Sequence, residues 1–153
     1  MSVKLTQLSE CDLVVRQNLL SVYVNFSATF WVCYYFLMRH LLKDRSPEFC
    51  NRIITLVHGA SVAILGVNQC FTGEVSPIYR PQNQSTTLQK FIIVWSLGYF
   101  LFDLGWCSYY QSETVLMITH HICSVVALWR MLMKDTSASL VCTNFRLPQD
   151  ALI

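Results

Sequence analysis

The sequence predicts an all-α protein, a polytopic bundle of four transmembrane helices. Of its 153 residues, 54% are hydrophobic and only 13% are charged, against about 25% charged in an ordinary soluble domain. The hydrophobic residues gather into four blocks of about 20 residues, the length of helix that crosses a hydrocarbon core. The net charge of +2 provides no basic surface of the kind that nucleic-acid binding requires, so we expect no nucleic-acid partner.

The first predicted span covers residues 19–38 and contains no formally charged residue. Its apolar run is longer than the hydrophobic region of a signal peptide, about 7 to 15 residues, and no small-residue cleavage pattern follows it. We therefore predict a permanent transmembrane helix, preceded by a short N-terminal segment over residues 1–18.

The other three spans are less uniformly apolar. They are predicted over residues 53–71, 91–110 and 114–133. Each contains ionisable side chains: His58 lies in the second span, Asp103 in the third, and His120 and His121 in the fourth. The four spans together make up a membrane domain over residues 19–133, which we interpret as a partial domain.

The region after the fourth span changes character. Residues 134–153 are more polar, contain Pro148 and include no apolar block long enough to span a membrane. This segment is predicted to be an exposed C-terminal tail. Because the chain stops soon after its most polar span, we expect a C-terminally truncated or alternative form of a longer protein.

Charge and a sequence triplet indicate one orientation. The loop between the first two spans holds the densest cluster of basic residues, which favours the cytosolic side. The long loop before the third span then faces the lumen. That loop contains Asn83 in an Asn-Gln-Ser triplet, a candidate glycosylation site.

The seven cysteines suggest neither a disulfide framework nor a metal site. Their number is odd, no C-x-x-C pair occurs, and four lie inside predicted spans. In a membrane helix a cysteine most often serves as a small apolar packing residue. We therefore expect no metal ligand set.

Counting along the chain brings two ionisable residues to the same depth. Only residues 111–113 separate the third and fourth spans, which must form an antiparallel hairpin. Asp103 lies nine positions before Ser112 and His121 nine after it, so both lie roughly 13 Å into the membrane. His120 points about 100° away from His121, so the two histidines cannot both face Asp103. His58 is predicted as a third member at shallower depth.

Asp103 belongs to an aromatic face of the third span, which core packing explains at least as well as a binding wall. Tyr99, Asp103, Trp106 and Tyr110 recur at helical spacing on the third span. Together with the histidines they form the candidate pocket for a lipid or other ligand: His58, Tyr99, Asp103, Trp106, Tyr110, His120 and His121.

Ionisable groups inside a membrane cost on the order of 2.5 to 3.5 kcal/mol each, so they usually face the bundle interior. Three interpretations of the Asp and His residues stay open: a polar tie between helices, a ligand or lipid-headgroup site, and catalysis or proton relay. Gly98 and Gly105 lie seven residues apart and are both expected to allow close approach of a neighbouring helix.

A family resemblance rests on these same residues. The segment from Gly98 to Cys107, the Gln-Ser-Glu triplet at 111–113 and the double histidine resemble the TLC family of polytopic membrane proteins. The His-Gly pair at His58 is also similar to an early helix of that family, and the resemblance covers roughly residues 18–133. It implies a helical bundle in the endoplasmic reticulum or plasma membrane that acts on or senses lipids, acyl chains in particular.

The enzymatic members of the family, the ceramide synthases, transfer a fatty acyl group from coenzyme A to a sphingoid base. By resemblance, His120 and His121 correspond to the double histidine of the synthases, and Asp103 to an acidic residue of the preceding helix. The synthase motif continues with a His-Asp element on a later helix, whereas no histidine follows His121 here. The resemblance thus implies a non-enzymatic member that affects membrane lipid composition, with lipids or acyl chains as partners and no cofactor.

Two alternatives stay open. The first is an acyltransferase that acts on acyl-coenzyme A through His120 or His121, with Asp103 orienting the ring. The second is a haem-binding or proton-conducting bundle, in which His58 and a histidine of the fourth span would be the axial haem ligands.

Overall fold

The computed structural model describes residues 2–71, 86–111 and 113–134, with side chains from Val14 onward and excepting those of residues 69–71. Within these ranges the chain forms α-helices and no strand, which confirms the all-α prediction. The helices are α1 (Ser2–Leu41), α2 (Pro47–Phe71), α3 (Thr87–Tyr110) and α4 (Val115–Lys134). Asn83 and the tail from residue 135 lie outside the described residues.

All four helices are long and apolar enough to cross a membrane, as predicted. The qualifying segments are Val14–Leu41, Pro47–Asn68, Thr87–Tyr110 and Val115–Lys134. Three helices begin earlier than the apolar runs indicate. Helix α1 starts at Ser2, within the predicted N-terminal segment, and α2 and α3 start six and four residues before their predicted spans.

Local sequence signals set the ends of the helices. Ser46 precedes Pro47 at the start of α2, and its hydroxyl accepts a hydrogen bond from the amide of Phe49 at 3.2 Å. Thr86 and Gln89 form a capping box at the start of α3. Gln111 ends α3 in the left-handed conformation, with φ of 48°, and α4 begins at Val115.

Helix α3 is the centre of the bundle. It packs against α1, α2 and α4. Its spanning segment is 56% buried inside the protein, whereas that of α4 is only 11% buried. Most of α4 therefore faces outward, where an apolar helix surface in a membrane meets lipid.

Helices α1 and α3 approach each other closely at a contact that we call the α1–α3 seam, formed by Ser27, Trp31, Trp95 and Gly98. A Cβ atom added to Gly98 would lie 2.7 Å from the backbone nitrogen of Ala28, so no larger residue fits without displacement. The Ser27 hydroxyl and the Trp31 indole N–H each donate to the Trp95 carbonyl oxygen at 3.3 Å.

The two glycines differ. Gly98 allows close packing, as the sequence predicts, but the expectation for Gly105 is wrong because no described neighbour lies within 4 Å of a Cβ built there. Their spacing gives the direction in which each residue points around α3. It does not give the height at which a neighbouring helix crosses.

Trp31 is the central packing residue of this seam. Its side chain is fully buried, and its ring contacts those of Trp95, Tyr99 and His58 at centroid distances of 4.6, 5.6 and 5.7 Å. These rings connect α1 with both α2 and α3. Trp31 thus fixes the position of α1 against the helices that carry the candidate site.

Candidate functional site

Helices α2 and α3 are joined by a series of polar contacts, which we call the polar ladder. It consists of four pairs: Asn51 with Asp103, Thr55 with Tyr99, His58 with Ser96, and Ser61 with Trp95. The donor and acceptor atoms lie 2.9, 2.9, 3.3 and 3.1 Å apart, respectively. Because the helices are antiparallel, residue numbers rise along α2 as they fall along α3. Such interhelical hydrogen bonds are the usual way in which polar residues are accommodated in membrane bundles.

The Asp103 carboxylate forms the centre of the candidate site. Its Oδ1 accepts a hydrogen bond from Asn51 Nδ2 at 2.9 Å, and its Oδ2 lies 3.2 Å from His121 Nε2. Asp103 is 5% exposed and His121 6% exposed. The carboxylate is thus contacted by α2 and α4 at once, and its contact with His121 agrees with the equal depth predicted from the hairpin count.

His120 occupies a different environment. It is exposed, and its ring lies 6.4 Å from that of Phe100. Phe100 also contacts His121, at 5.7 Å. As helical geometry requires, one histidine of the pair faces Asp103 and the other faces outward.

His58 does not join this centre, and its predicted depth is wrong. The count placed His58 closer than Asp103 to the membrane surface near the α3–α4 turn. Because α2 begins at Pro47, the α2 residue level with Asp103 is Asn51. His58 lies level with Ser96, about two helical turns or roughly 10 Å farther from that turn. Its ring stacks on Tyr99, with centroids 3.9 Å apart.

This arrangement does not favour the haem alternative. His58 Nε2 faces Ser96, and His121 Nε2 faces Asp103. The Phe100 ring lies within 6.0 Å of the His58 ring and 5.7 Å of the His121 ring. The two imidazoles therefore do not face a shared central position, as two axial ligands of one iron must.

The predicted aromatic face is partly core and partly surface. Tyr99 and Trp106 are buried at 3% and 7% exposure, whereas Tyr110 is 43% exposed. The Tyr110 ring packs on Trp106 at 4.6 Å, and its hydroxyl lies 3.4 Å from that of Tyr35. Near Tyr110 this aromatic face packs α3 against α1, and near Tyr99 it borders the polar groups around Asp103.

A cavity of about 430 Å³ opens beside Asp103. It is lined by Glu48, Asn51, Arg52, Thr55, Leu56, Tyr99, Asp103, Trp106, Cys107, Glu113, Met117 and His121. Four of the predicted pocket residues are therefore present: Tyr99, Asp103, Trp106 and His121. The described lining does not include the other three, which are His58, Tyr110 and His120.

The cavity lining has three parts. Buried polar groups lie at its inner end, around Asp103. Charged side chains form its rim, where Arg52 pairs with Glu48 at 2.6 Å. Leu56 and Met117, 72% and 42% exposed, line a side that is apolar and faces outward. The cavity therefore connects a charged rim, a lipid-facing surface and a buried carboxylate.

Two residues of the inner end were not identified from the sequence. Asn51 lies outside the predicted second span, although Asn51, Thr55 and His58 form a polar stripe at helical spacing that indicates it. Cys107 was interpreted as a packing residue. It follows Asp103 by one helical turn, and ligand atoms of Asp103, Cys107 and His121 all lie within 4.8 Å of one another.

Three buried polar atoms in this region have no hydrogen-bond partner among the described residues. They are Asn51 Oδ1, Trp106 Nε1 and His121 Nδ1. Buried polar atoms are normally satisfied, because leaving one unpaired costs on the order of 1 to 3 kcal/mol. All three belong to residues that line the cavity. The residues that line the cavity thus have unused hydrogen-bonding capacity.

Comparison with known proteins identifies the domain that contains this site. Residues 48–144, more than half of the chain, match the profile of the TLC domain. A TLC domain-containing protein from Arabidopsis thaliana is 22% identical over 125 residues, which make up 82% of this chain and 46% of that relative. The chain thus spans about half the length of the curated relative it matches. No solved structure matches the chain.

Proposed function

Because the chain belongs to the TLC domain family and forms a multi-pass membrane protein, we propose that its polar cavity binds a membrane lipid and that the protein thereby affects membrane lipid composition. One observation carries this proposal. The cavity joins a buried carboxylate to a side that is apolar and open toward lipid. An amphipathic ligand has the same two parts, a polar end and an acyl chain.

The polar atoms suit a lipid that carries hydrogen-bond donors near its acyl chain. Asn51 Oδ1 has no described partner and accepts hydrogen bonds. His121 Nδ1 also lacks one, and because the Nε2–H is directed at Asp103 Oδ2, Nδ1 too accepts a hydrogen bond. Two donors of one lipid, such as two hydroxyls or a hydroxyl and an amide N–H, would satisfy both. The acyl chain would then lie along Leu56 and Met117.

The test is lipid profiling of cells that express the wild type, Asp103→Asn or His120→Gln. Asp103→Asn keeps the side-chain volume but removes the charge that orients Asn51 and His121. His120→Gln is a matched control because His120 is exposed and lies beside His121. We expect the wild type and His120→Gln to change phospholipid or sphingolipid species in the same way, and Asp103→Asn to resemble cells without the protein.

Equal amounts of each variant in carbonate-washed membranes are required for this comparison. Fractionation of the same cells distinguishes the endoplasmic reticulum, which we propose as the site of action, from the plasma membrane. A wild type that leaves the lipid profile unchanged contradicts the proposal. So does an Asp103→Asn variant that is as effective as the wild type at equal abundance.

The Asp103–His121 contact also favours a second candidate function, acyl transfer. A carboxylate that holds one imidazole nitrogen leaves the other available as a base, and His121 Nδ1 has no described partner. In that case purified protein consumes acyl-coenzyme A, and His121→Ala abolishes the consumption. Turnover that is absent, or that is unaffected by His121→Ala, excludes this function for the chain.

A further inference from the structure

We propose that the inner end of the cavity is a metal site, in which Asp103, Cys107 and His121 bind a zinc ion. This inference does not depend on the lipid proposal, because metal binding is measured on the purified protein. It departs from the expectation drawn from cysteine spacing alone. The ligand set becomes visible only when α3 and α4 pack together.

The geometry brings three different ligand types to one point. Asp103 and Cys107 are one turn apart on α3, and His121 approaches from α4. Their ligand atoms all lie within 4.8 Å of one another, and all three residues are buried. The 3.2 Å between His121 Nε2 and Asp103 Oδ2 is close to the separation of about 3.3 Å between two nitrogen and oxygen ligands of tetrahedral zinc.

A second, independent observation is the side chain of Asn51. It is 7% exposed, its Oδ1 has no described partner, and its Nδ2 donates to Asp103 Oδ1 at 2.9 Å. The amide thus orients the carboxylate, as outer-sphere groups do around metal ligands. Asn51 is also part of the cavity lining, where its unpaired oxygen would hold a water molecule in the fourth coordination position.

Charge balance favours a divalent ion. Asp103 as a carboxylate and Cys107 as a thiolate together carry two negative charges, which a single Zn²⁺ neutralises. An unpaired charge is costly in a buried position, and a neutral complex avoids that cost. The mixed set of imidazole, thiolate and carboxylate suits zinc, whereas calcium and magnesium prefer oxygen ligands only.

An ion can reach this site from the charged rim. Glu48 and Glu113 both line the cavity, together with Asp103. Three protein ligands leave one coordination position for water or for a polar group of a ligand, which is typical of catalytic rather than structural zinc sites. Zinc bound here would also fix α4 to α3.

The test uses the full chain, purified in detergent micelles without a histidine tag and treated with a chelator. Cobalt(II) is the spectroscopic probe, because a cobalt–thiolate bond gives a near-ultraviolet charge-transfer absorption. We expect the wild type to show this absorption and to lose it when zinc is added. Zinc alone should raise the Tm of the wild type by roughly 5 °C or more.

Variants then assign the site to its residues. Cys107→Ser should lose the thiolate absorption, whereas Cys123→Ser, a matched control at an exposed cysteine of α4, should retain it. Asn51→Ala should weaken zinc binding about 10- to 100-fold, the usual effect of losing an outer-sphere partner. Asp103→Asn should weaken it at least as much.

A chain in which every cysteine except Cys107 is replaced by serine keeps the proposal testable if Cys107→Ser does not fold. This chain should retain the cobalt–thiolate absorption. Three results overturn the proposal: a folded wild type without the absorption, a folded chain with Cys107 alone that lacks it, or an absorption that survives Cys107→Ser and disappears in Cys123→Ser.

Discussion

Two of the contacts that hold α3 at the centre of the bundle, those with α1 and with α2, are built on opposite principles. At the α1–α3 seam, small residues allow close approach, and the donors of Ser27 and Trp31 are both satisfied by one backbone carbonyl. Along the polar ladder, side chains bond to side chains. The end of the ladder at Asp103 leaves buried polar atoms without described partners beside a cavity.

This difference indicates that the seam stabilises the fold, whereas the polar ladder also forms part of the candidate site. An interface under selection for stability alone gains nothing from unpaired buried polar atoms, which cost free energy. Functional sites commonly retain such groups for a ligand. We therefore expect substitutions in the seam to reduce stability most, and substitutions at Asp103 to affect ligand binding and lipid composition more than folding.

Replacing Trp31 with alanine tests the seam most severely. We expect a loss of about 3 to 5 kcal/mol in the free energy of unfolding, because a fully buried aromatic side chain and its ring contacts disappear. Denaturant unfolding in micelles measures it. Phe26→Ala on the same helix is the control, since Phe26 is 76% exposed. Equal losses from both substitutions would contradict the assignment of Trp31 to the core.

Gly98→Ala has the next largest expected effect. The added methyl group meets the Ser27 side chain and the Ala28 backbone, so α1 and α3 must separate, at a cost of about 1 to 3 kcal/mol. Gly105→Ala is the matched control on the same helix. It meets no described neighbour, and better helix propensity should make it neutral or slightly stabilising. The Tm values of the two variants test this expectation. A lower Tm for Gly105→Ala than for Gly98→Ala would show that α3 approaches α1 elsewhere.

The Asp103–His121 contact should have a smaller effect on stability. A double-mutant cycle with Asp103→Asn and His121→Gln is expected to give a coupling energy of about 0.6 to 1.7 kcal/mol, the range for hydrogen bonds in membrane bundles. The coupling energy is obtained from the unfolding free energies of the wild type, the two single variants and the double variant. Strictly additive effects would mean that the two residues do not interact in the membrane.

Tyr99→Phe tests the middle of the polar ladder and has the smallest expected effect. It removes the hydroxyl that donates to Thr55 but keeps the ring that stacks on His58. We expect a loss of about 0.5 to 1 kcal/mol in the unfolding free energy. Tyr109→Phe, at an 80% exposed tyrosine, should change it by less. If Tyr99→Phe lowered the unfolding free energy as much as Trp31→Ala, the polar ladder would stabilise the fold as strongly as the seam.

The fold and one pair of site residues are predictable from the sequence for simple reasons. Four apolar runs of membrane length indicate four helices, because backbone groups in lipid must bond within the helix. The short link between α3 and α4 fixes their relative depth, which is why counting pairs Asp103 with His121. The orientation in the membrane and the glycosylation at Asn83 stay predictions.

Other parts of the site could not be predicted in the same way. Hydropathy marks the apolar run of α2 from residue 53, but Ser46 and Pro47 start the helix earlier, and this shift makes Asn51 rather than His58 the partner of Asp103. The chemistry of Cys107 depends on what surrounds it. A cysteine in an apolar helix resembles a packing residue until α4 places His121 beside it.

The short link between α3 and α4 has a consequence for how the protein enters the membrane. During synthesis, α3 and α4 can form a helical hairpin without the participation of α1 or α2. Asp103 and His121 then meet within that hairpin and enter the bilayer as one hydrogen-bonded pair. Neither side chain has to cross into lipid as an isolated ionisable group, which is the costly step for a polar membrane helix.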